Sequence, residues 1–263
     1  MSNKNSRFAN KLLWGIIVAA VWIGIWFLLD AIIGQKLLFV SPYETVARIV
    51  ELMGTGEFWL SIASSMVRIL IGLALAIIIG SLLAFLCHYV PIADMFFKPL
   101  LHLIRSTPVA SFIILAIVWL TTGKVPMFTS FLMALPIVFG NIKTGFQEIR
   151  PKLIEVTEVY HFSFSKKLKN LILPSLLPYS LTAVKTSVGF AWKAGIAAEV
   201  LCRPDFSMGN ALYNAKVYLD TPNLFAWTTV IILLSLLIEK ALVLLVKAVS
   251  TKLDYEEGEN GNG

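Results

Sequence analysis

Long apolar runs dominate this chain and leave it few ways to fold. Six stretches, 12–33, about 62–86, 96–120, 127–142, 177–201 and 224–246, are built mainly from aliphatic and aromatic residues. An α-helix rises about 1.5 Å per residue, so roughly 20 such residues cross a bilayer core of about 30 Å. Lipid offers no hydrogen bonds to an open backbone, so each run must satisfy its own polar groups as a helix. Charged residues make up only 14% of the chain, against about 25% in a typical soluble domain, which points to lipid as the solvent. The expected fold is all-α, a polytopic membrane protein with about six transmembrane helices.

The runs are not equivalent. The first follows Lys4, Arg7 and Lys11 and carries bulky Trp22, Trp26 and Phe27 without a small-residue cleavage site. That pattern fits a retained span better than a signal peptide. Pro99, Arg105 and Pro108 interrupt 96–120, so a broken or strongly tilted element is expected there. The run 127–142 is short for a span. Ser41-Pro42-Tyr43-Glu44 has the form of a capping box, and Val46, Ile49, Val50 and Met53 follow at helical spacing. They predict a short amphipathic surface helix outside the spans. The segments are then a cytoplasmic 1–11, a transmembrane domain over 12–250, and a polar tail, 251–263, expected to be disordered.

Cations orient the chain. The net charge is +6, from 22 Lys and Arg against 16 Asp and Glu. With six spans and the N-terminus inside, twelve cations fall in inner segments, among them Lys98, Lys143, Arg150, Lys152, Lys166, Lys167 and Lys169. Five fall outside: Lys36, Arg48, Lys124, Arg203 and Lys216. The positive-inside rule accounts for this surplus without a nucleic-acid partner, and it puts both termini in the cytoplasm of a multi-pass cell-membrane protein. The two cysteines, Cys87 and Cys202, then lie on opposite faces and are expected to stay reduced. No Cys/His cluster suggests a metal. Gly123-Lys124 is the nearest fragment of a phosphate-binding loop, but Val118 stands where its first glycine belongs and no Ser or Thr follows. No cofactor, metal or catalytic constellation is expected in the chain itself, which is read as no enzyme.

One polar island interrupts the greasy pattern at about 150–175. Pro151 suits the first turn of a helix, with Ile154, Val156, Val159 and Tyr160 as apolar contacts and Glu155 and Glu158 facing water. Residues 161–163 read as a turn. Ser165 is placed to cap a second helix over 166–173, which Pro174 is expected to stop. The product is a cytoplasmic helical hairpin.

That island resembles the EAA loop of ATP-binding-cassette (ABC) importer permeases, whose pattern is E-A-A, three residues, Gly, nine residues, then I-x-L-P. Glu155 stands at the acid, Val156 and Thr157 replace the two alanines, and Leu171, Leu173 and Pro174 stand in register at the end. His161 occupies the glycine position, where the family residue permits a positive φ. Beyond the island, 39–60, the pattern Ser64, Ser65, Arg68, Gly72 and Gly80, the run Leu100, Arg105, Thr107, Pro108, Trp119 and Gly123, and Ala191-Trp192 with Ala197-Ala198-Glu199 resemble the nitrate/sulfonate/taurine-type branch. The likeness spans roughly 38–250.

The resemblance implies a transport subunit with partners. Two permease copies, here a homodimer, would form an alternating-access pathway. Two ABC ATPase subunits would hold ATP and Mg and dock on the EAA loops, and an extracytoplasmic binding protein would deliver the solute. The branch implies a sulfonate, taurine or nitrate-like anion, or a small nutrient such as a thiamine precursor. The competing function is a secondary transporter driven by an ion gradient, which predicts related halves and midplane acids. Ionisable residues within spans are costly and carry a functional expectation. Arg105, Lys193 and Glu199 are therefore expected to face the permease core, with a structural ion pair as the alternative. Lys193 and Glu199 are six residues apart on one helix, so they do not form an i,i+4 pair.

Overall fold

The computed structural model describes residues 2–260, with side chains placed for 13–245. Its elements, in order, are α1 (Ser2–Ile33), α2 (Pro42–Met53), α3 (Gly56–Tyr89), α4 (Pro91–Ser106), α5 (Val109–Trp119), α6 (Val125–Gln147), α7 (Pro151–Val159) and α8 (Phe164–Lys167). A π-helical turn (Leu168–Ile172) leads into α9 (Leu173–Cys202), followed by α10 (Met208–Val217) and α11 (Thr221–Asn260). The described residues contain no strand. α11 runs on through the tail that composition marked as disordered, and 261–263 lie outside the described residues.

Among the described residues, four helices are long and apolar enough to cross a membrane, over Leu13–Ile33, Gly56–Tyr89, Val125–Gln147 and Thr221–Leu245. α4 and α5 make a fifth if the pair counts as one span, but they meet at a bend of 104°. Local chemistry explains that bend. Pro108 has no N–H and forbids helical geometry to its predecessor, so Thr107 is extended at φ −82°, ψ 134°. The hydroxyls of Ser106 and Thr107 both turn back onto the Leu103 carbonyl and close the end of α4. The expected fifth span, 177–201, lies inside α9. That helix is long enough, yet its Ser, Thr, Lys and Pro content keeps it out of the apolar set. Its neighbours, not lipid alone, must therefore solvate it.

The chain divides into two compact units. The first comprises 1–59 and 211–231. Ser41 caps α2 by accepting from the Glu44 N–H at 3.2 Å, and Pro42 occupies the first turn. The Glu44 carboxylate turns back toward the Ser41 backbone and also pairs with Lys36 at 2.6 Å. Val46, Val50 and Met53 remain exposed on α2. The Trp26 indole donates to the Val40 carbonyl and its ring meets Phe225, tying α1 and the start of α11 to the connecting loop.

The second unit comprises 60–210 and 232–263 and holds the densest packing. α6 lies along α9 and is its most buried neighbour, with α4 and α5 against α6. Small residues allow the approach. A Cβ at Gly195 of α9 would come within 2.5 Å of Ser130 Oγ on α6 and of Ile69 on α3, so the three helices meet at that point. Ser130 also donates to the Ala191 carbonyl at 2.9 Å. Ile113, Ala116, Val125, Ala198 and Cys202 form a core cluster where α5, α6 and α9 join. Both cysteines are free and buried. His88 stacks on Phe146 at 4.7 Å between ring centroids, a packing role.

Candidate functional site

The island folds as a bracket rather than a free-standing hairpin. α7 ends in a Schellman motif, with the Phe162 N–H donating to the Thr157 carbonyl and the His161 N–H to the Glu158 carbonyl. That motif needs a left-handed residue after the cap, and His161 supplies it at φ +50°. The turn is thus glycine-like in shape although a side chain occupies it. The next helix begins two residues earlier than expected. Ser163, not Ser165, is the N-cap and accepts from the Lys166 N–H. Both serines precede helical residues, and only Ser163 adopts the extended backbone that lets a side chain reach forward (φ −62°, ψ 155°).

Pro174 does not stop that helix. The chain widens into one π turn, in which the Leu173 N–H reaches back to the Leu168 carbonyl, and Pro174 then sits in the first turn of α9. A proline removes the bond to the carbonyl four residues back and crowds it, and a π turn absorbs both defects without ending the helix. The second arm therefore runs on directly into the 30-residue α9. Leu171 and Ile172 are buried and anchor the turn, while Leu173 is about half exposed.

The outer face of this bracket carries exposed apolar side chains. Val159 and Tyr160 are 74% and 72% exposed, and Leu153, Val156 and Phe164 are exposed beside them. Glu155 is exposed and makes no ion pair among the described residues. Thr157 is buried, its hydroxyl on the Ile154 carbonyl at 2.7 Å. Leu153, Val156 and Tyr160 fall three and four residues apart and so share one face of the helix.

The three core-facing candidates are not brought together. Glu199 is fully buried at the end of α9. Its carboxylate accepts from Ser65 Oγ at 2.7 Å, from the Gly209 N–H at 3.2 Å and from Arg68 at 3.4 Å. Arg68 also donates to the carbonyls of Asp205 and Phe206. The first N–H groups of α10 are thereby satisfied in turn: Met208 by Ser65, Gly209 by Glu199 and Asn210 by Ser207. Residue reading named Ser65, Arg68 and Glu199 separately and missed that they form one cluster. The available signal was that each ionisable group within a span needs a partner.

Lys193 projects from another face of α9 and is exposed. Arg105 is also exposed, one residue before the end of α4. It lines a cleft of about 310 Å³ with Lys98 and His102 of α4 and Lys143, Thr144 and Gln147 of α6. Lys143 is engaged there by an ion pair with Asp94. Lys98 and Lys143 had entered the sequence reading only as orienting charges. No group of three or more His, Cys, Asp or Glu among the described residues is arranged to hold a metal.

The chain is similar in sequence to known proteins. The family described as binding-protein-dependent transport system inner membrane component matches residues 76–255, which include the island, Glu199 and the Arg105 cleft. Over 216 residues, 81% of this chain and 77% of the relative, identity is 26% to the aliphatic sulfonates transport permease protein SsuC of Bacillus subtilis strain 168. It is 28% to the nitrate import permease protein NrtB of Synechococcus elongatus, covering 76% of this chain and 75% of that one. It is 22% to the taurine transport system permease protein TauC of Escherichia coli K12, covering 92% and 88%. These likenesses support ATP-driven import over an ion-gradient-driven transporter, and the family implies an ATPase and a binding protein as partners. The chain belongs to the binding-protein-dependent transport system inner membrane component family, a multi-pass ABC importer permease and a transport subunit rather than an enzyme.

Proposed function

We propose that the bracket at 150–175 is the ATPase-coupling element of this permease. The observation that carries the reading is the continuity of its second arm with α9 beneath an exposed apolar face on α7. In this reading Glu155 and Val156 enter a groove on an ABC ATPase, and buried Thr157 holds the helix beneath them. His161 sets the angle between the arms. Leu171, Leu173 and Pro174 pass the movement of the ATPase into α9 as a rigid-body displacement. ATP and Mg reside in that partner.

Two copies of the chain form a homodimer around an alternating-access pathway, with both termini cytoplasmic. Arg105 and Lys193, exposed cations on α4 and α9, face that pathway. Glu199 contributes by holding the outer end of α9 in place through Arg68 and Ser65. The solute is a small one of the kind carried by the similar permeases, whose names specify sulfonates, nitrate and taurine.

The test is Glu155→Lys. Co-expression with a cognate ABC ATPase, followed by affinity purification, should show ATPase recovery reduced at least tenfold and uptake lost, with the permease still membrane-inserted. Unchanged recovery and uptake would remove the coupling assignment.

A further inference from the structure

Tyr43, Val46, Val50 and Met53 recur at three- and four-residue spacing on α2 and share one face of it. All four are exposed, Tyr43 at 75%. The other faces of the helix are occupied. Thr45 is buried, with Ile49 and Leu52 partly buried beside it. On the polar face Glu44 pairs with Lys36. Arg48 pairs with Glu51 at 2.7 Å and Asp220 at 3.8 Å, and donates to Asn223 Oδ1 at 3.1 Å. The start of α11 thus holds α2 through its polar side chains and leaves the apolar face uncovered.

The two ends of α2 fix its depth. The Trp26 indole donates to the Val40 carbonyl at 2.9 Å, just ahead of the Ser41 cap. Trp26 lies seven residues before the end of α1, within the apolar stretch Leu13–Ile33, and seven helical residues rise about 10 Å. The chain leaving α1 therefore folds back along that span before α2 begins. At the other end Trp59, exposed in the first turn of α3, donates from its indole to the Met53 carbonyl at 2.9 Å. Only Gly54 and Thr55 separate α2 from α3. A helix tied at both ends to the terminal turns of membrane spans lies at the level of the lipid headgroups, the zone that Tyr and Trp rings favour.

We propose that α2 lies flat in the bilayer surface, with Tyr43, Val46, Val50 and Met53 inserted about 5–10 Å into the boundary between phospholipid headgroups and acyl chains. The occupant is lipid because the uncovered face is apolar and two spans set its depth. Charge does not recruit it. Around the helix Glu44, Glu51 and Asp220 outnumber Lys36 and Arg48, so zwitterionic phospholipid serves as well as anionic. The inference goes beyond the transport assignment and requires only that α1 and α3 cross the membrane. Its consequence is that α2 holds the connection between those spans at a fixed depth.

The full-length chain with Cys87→Ala and Cys202→Ala, carrying one nitroxide label at Val46→Cys, Val50→Cys, Ala47→Cys or Glu51→Cys, is placed in phosphatidylcholine vesicles. Power-saturation EPR compares collision with oxygen, which concentrates in lipid, and with a nickel chelate, which stays in water. The oxygen-to-nickel ratio should be at least fivefold higher at 46 and 50 than at 47 and 51. Adding phosphatidylglycerol should change it less than twofold. Equal ratios at all four positions would leave the face in water and overturn the proposal. Low access to both reagents at 46 and 50 would put a second copy of the chain on the face and overturn it as well. A label at Val21→Cys, near the middle of α1, is read in parallel. Water access there defeats the membrane reading itself, whereas lipid at 21 with water at 46 and 50 defeats this inference alone. The unsubstituted chain gives a second measurement. Phosphatidylcholine with a diazirine near the carbonyl end of one acyl chain should photolabel α2 at Tyr43, Val46, Val50 or Met53, and labelling of the spans without α2 would contradict the proposal.

Discussion

At the scale of single residues, burial separates groups that composition could only list together. Glu199 and Arg68 are expensive alone in a membrane, but with Ser65 they satisfy one another and the start of α10. Removing one partner of a buried pair typically costs about 3–5 kcal/mol. Glu199→Ala should therefore lower stability by about that much in a detergent unfolding assay. Glu199→Gln, which keeps an acceptor for Ser65 and Gly209, should lose only about 1 kcal/mol, the worth of a typical hydrogen bond. His161 holds a left-handed backbone that costs an L-residue about 1–2 kcal/mol. His161→Gly should stabilise the protein by roughly 0.5–1 kcal/mol, part of the relief being offset by the freedom glycine gains when unfolded. Trp192 is buried and its indole N–H has no partner among the described residues. Trp192→Phe removes an unpaired donor along with some apolar area, so its unfolding midpoint should stay close to that of the parent protein.

At the scale of elements, close approach and continuity are what matter. Gly195 sits where α3, α6 and α9 meet, and a Cβ there collides with Ser130 and Ile69. Gly195→Val should destabilise by about 1–3 kcal/mol through overpacking, measured by thermal unfolding with size-exclusion chromatography as a control for assembly. The π turn before Pro174 has a different prediction. Pro174→Ala restores an N–H and permits ordinary α-helical geometry, which rotates α7 and α8 relative to α9. Such a variant should still recover the ATPase yet lose most solute-stimulated ATP hydrolysis. At α2, the hydrogen bond from Lys36 holds the Glu44 carboxyl below its ordinary value of 4.5. A carboxyl lowered by folding stabilises above its unfolded pKa and loses that contribution as pH falls through the folded one. Amide exchange at the start of α2 should therefore quicken below about pH 4.5, modestly, because the pair is exposed and water screens it.

At the scale of the molecule, the sequence carried the class of fold and the place of the island, because bilayer thickness and backbone satisfaction impose patterns that single residues betray. The α4–α5 break was legible in Pro108, since a proline leaves a local chemical mark, whereas Pro99 and Arg105, also expected to interrupt the run, lie within continuous α4. The π turn was not, because a five-residue bond pattern needs no special residue before the proline that it serves. The Ser65–Arg68–Glu199 cluster joins residues more than 130 positions apart, and no periodicity within one helix reports such a contact. The apolar run 177–201 marked most of α9, yet the polar residues within it leave the helix outside the strictly apolar set, and helices α5 and α6 pack against it. The central claim is that α7 is the surface on which an ATPase docks. Cysteine cross-linking tests it most directly: with Cys87 and Cys202 replaced by alanine, single cysteines are placed at Val156 and at Tyr43, and membranes containing the ATPase are treated with a short bifunctional maleimide. The account expects an ATP-dependent cross-link to the ATPase from position 156 and none from position 43. Cross-linking from position 43 alone, or equally from both, would contradict it.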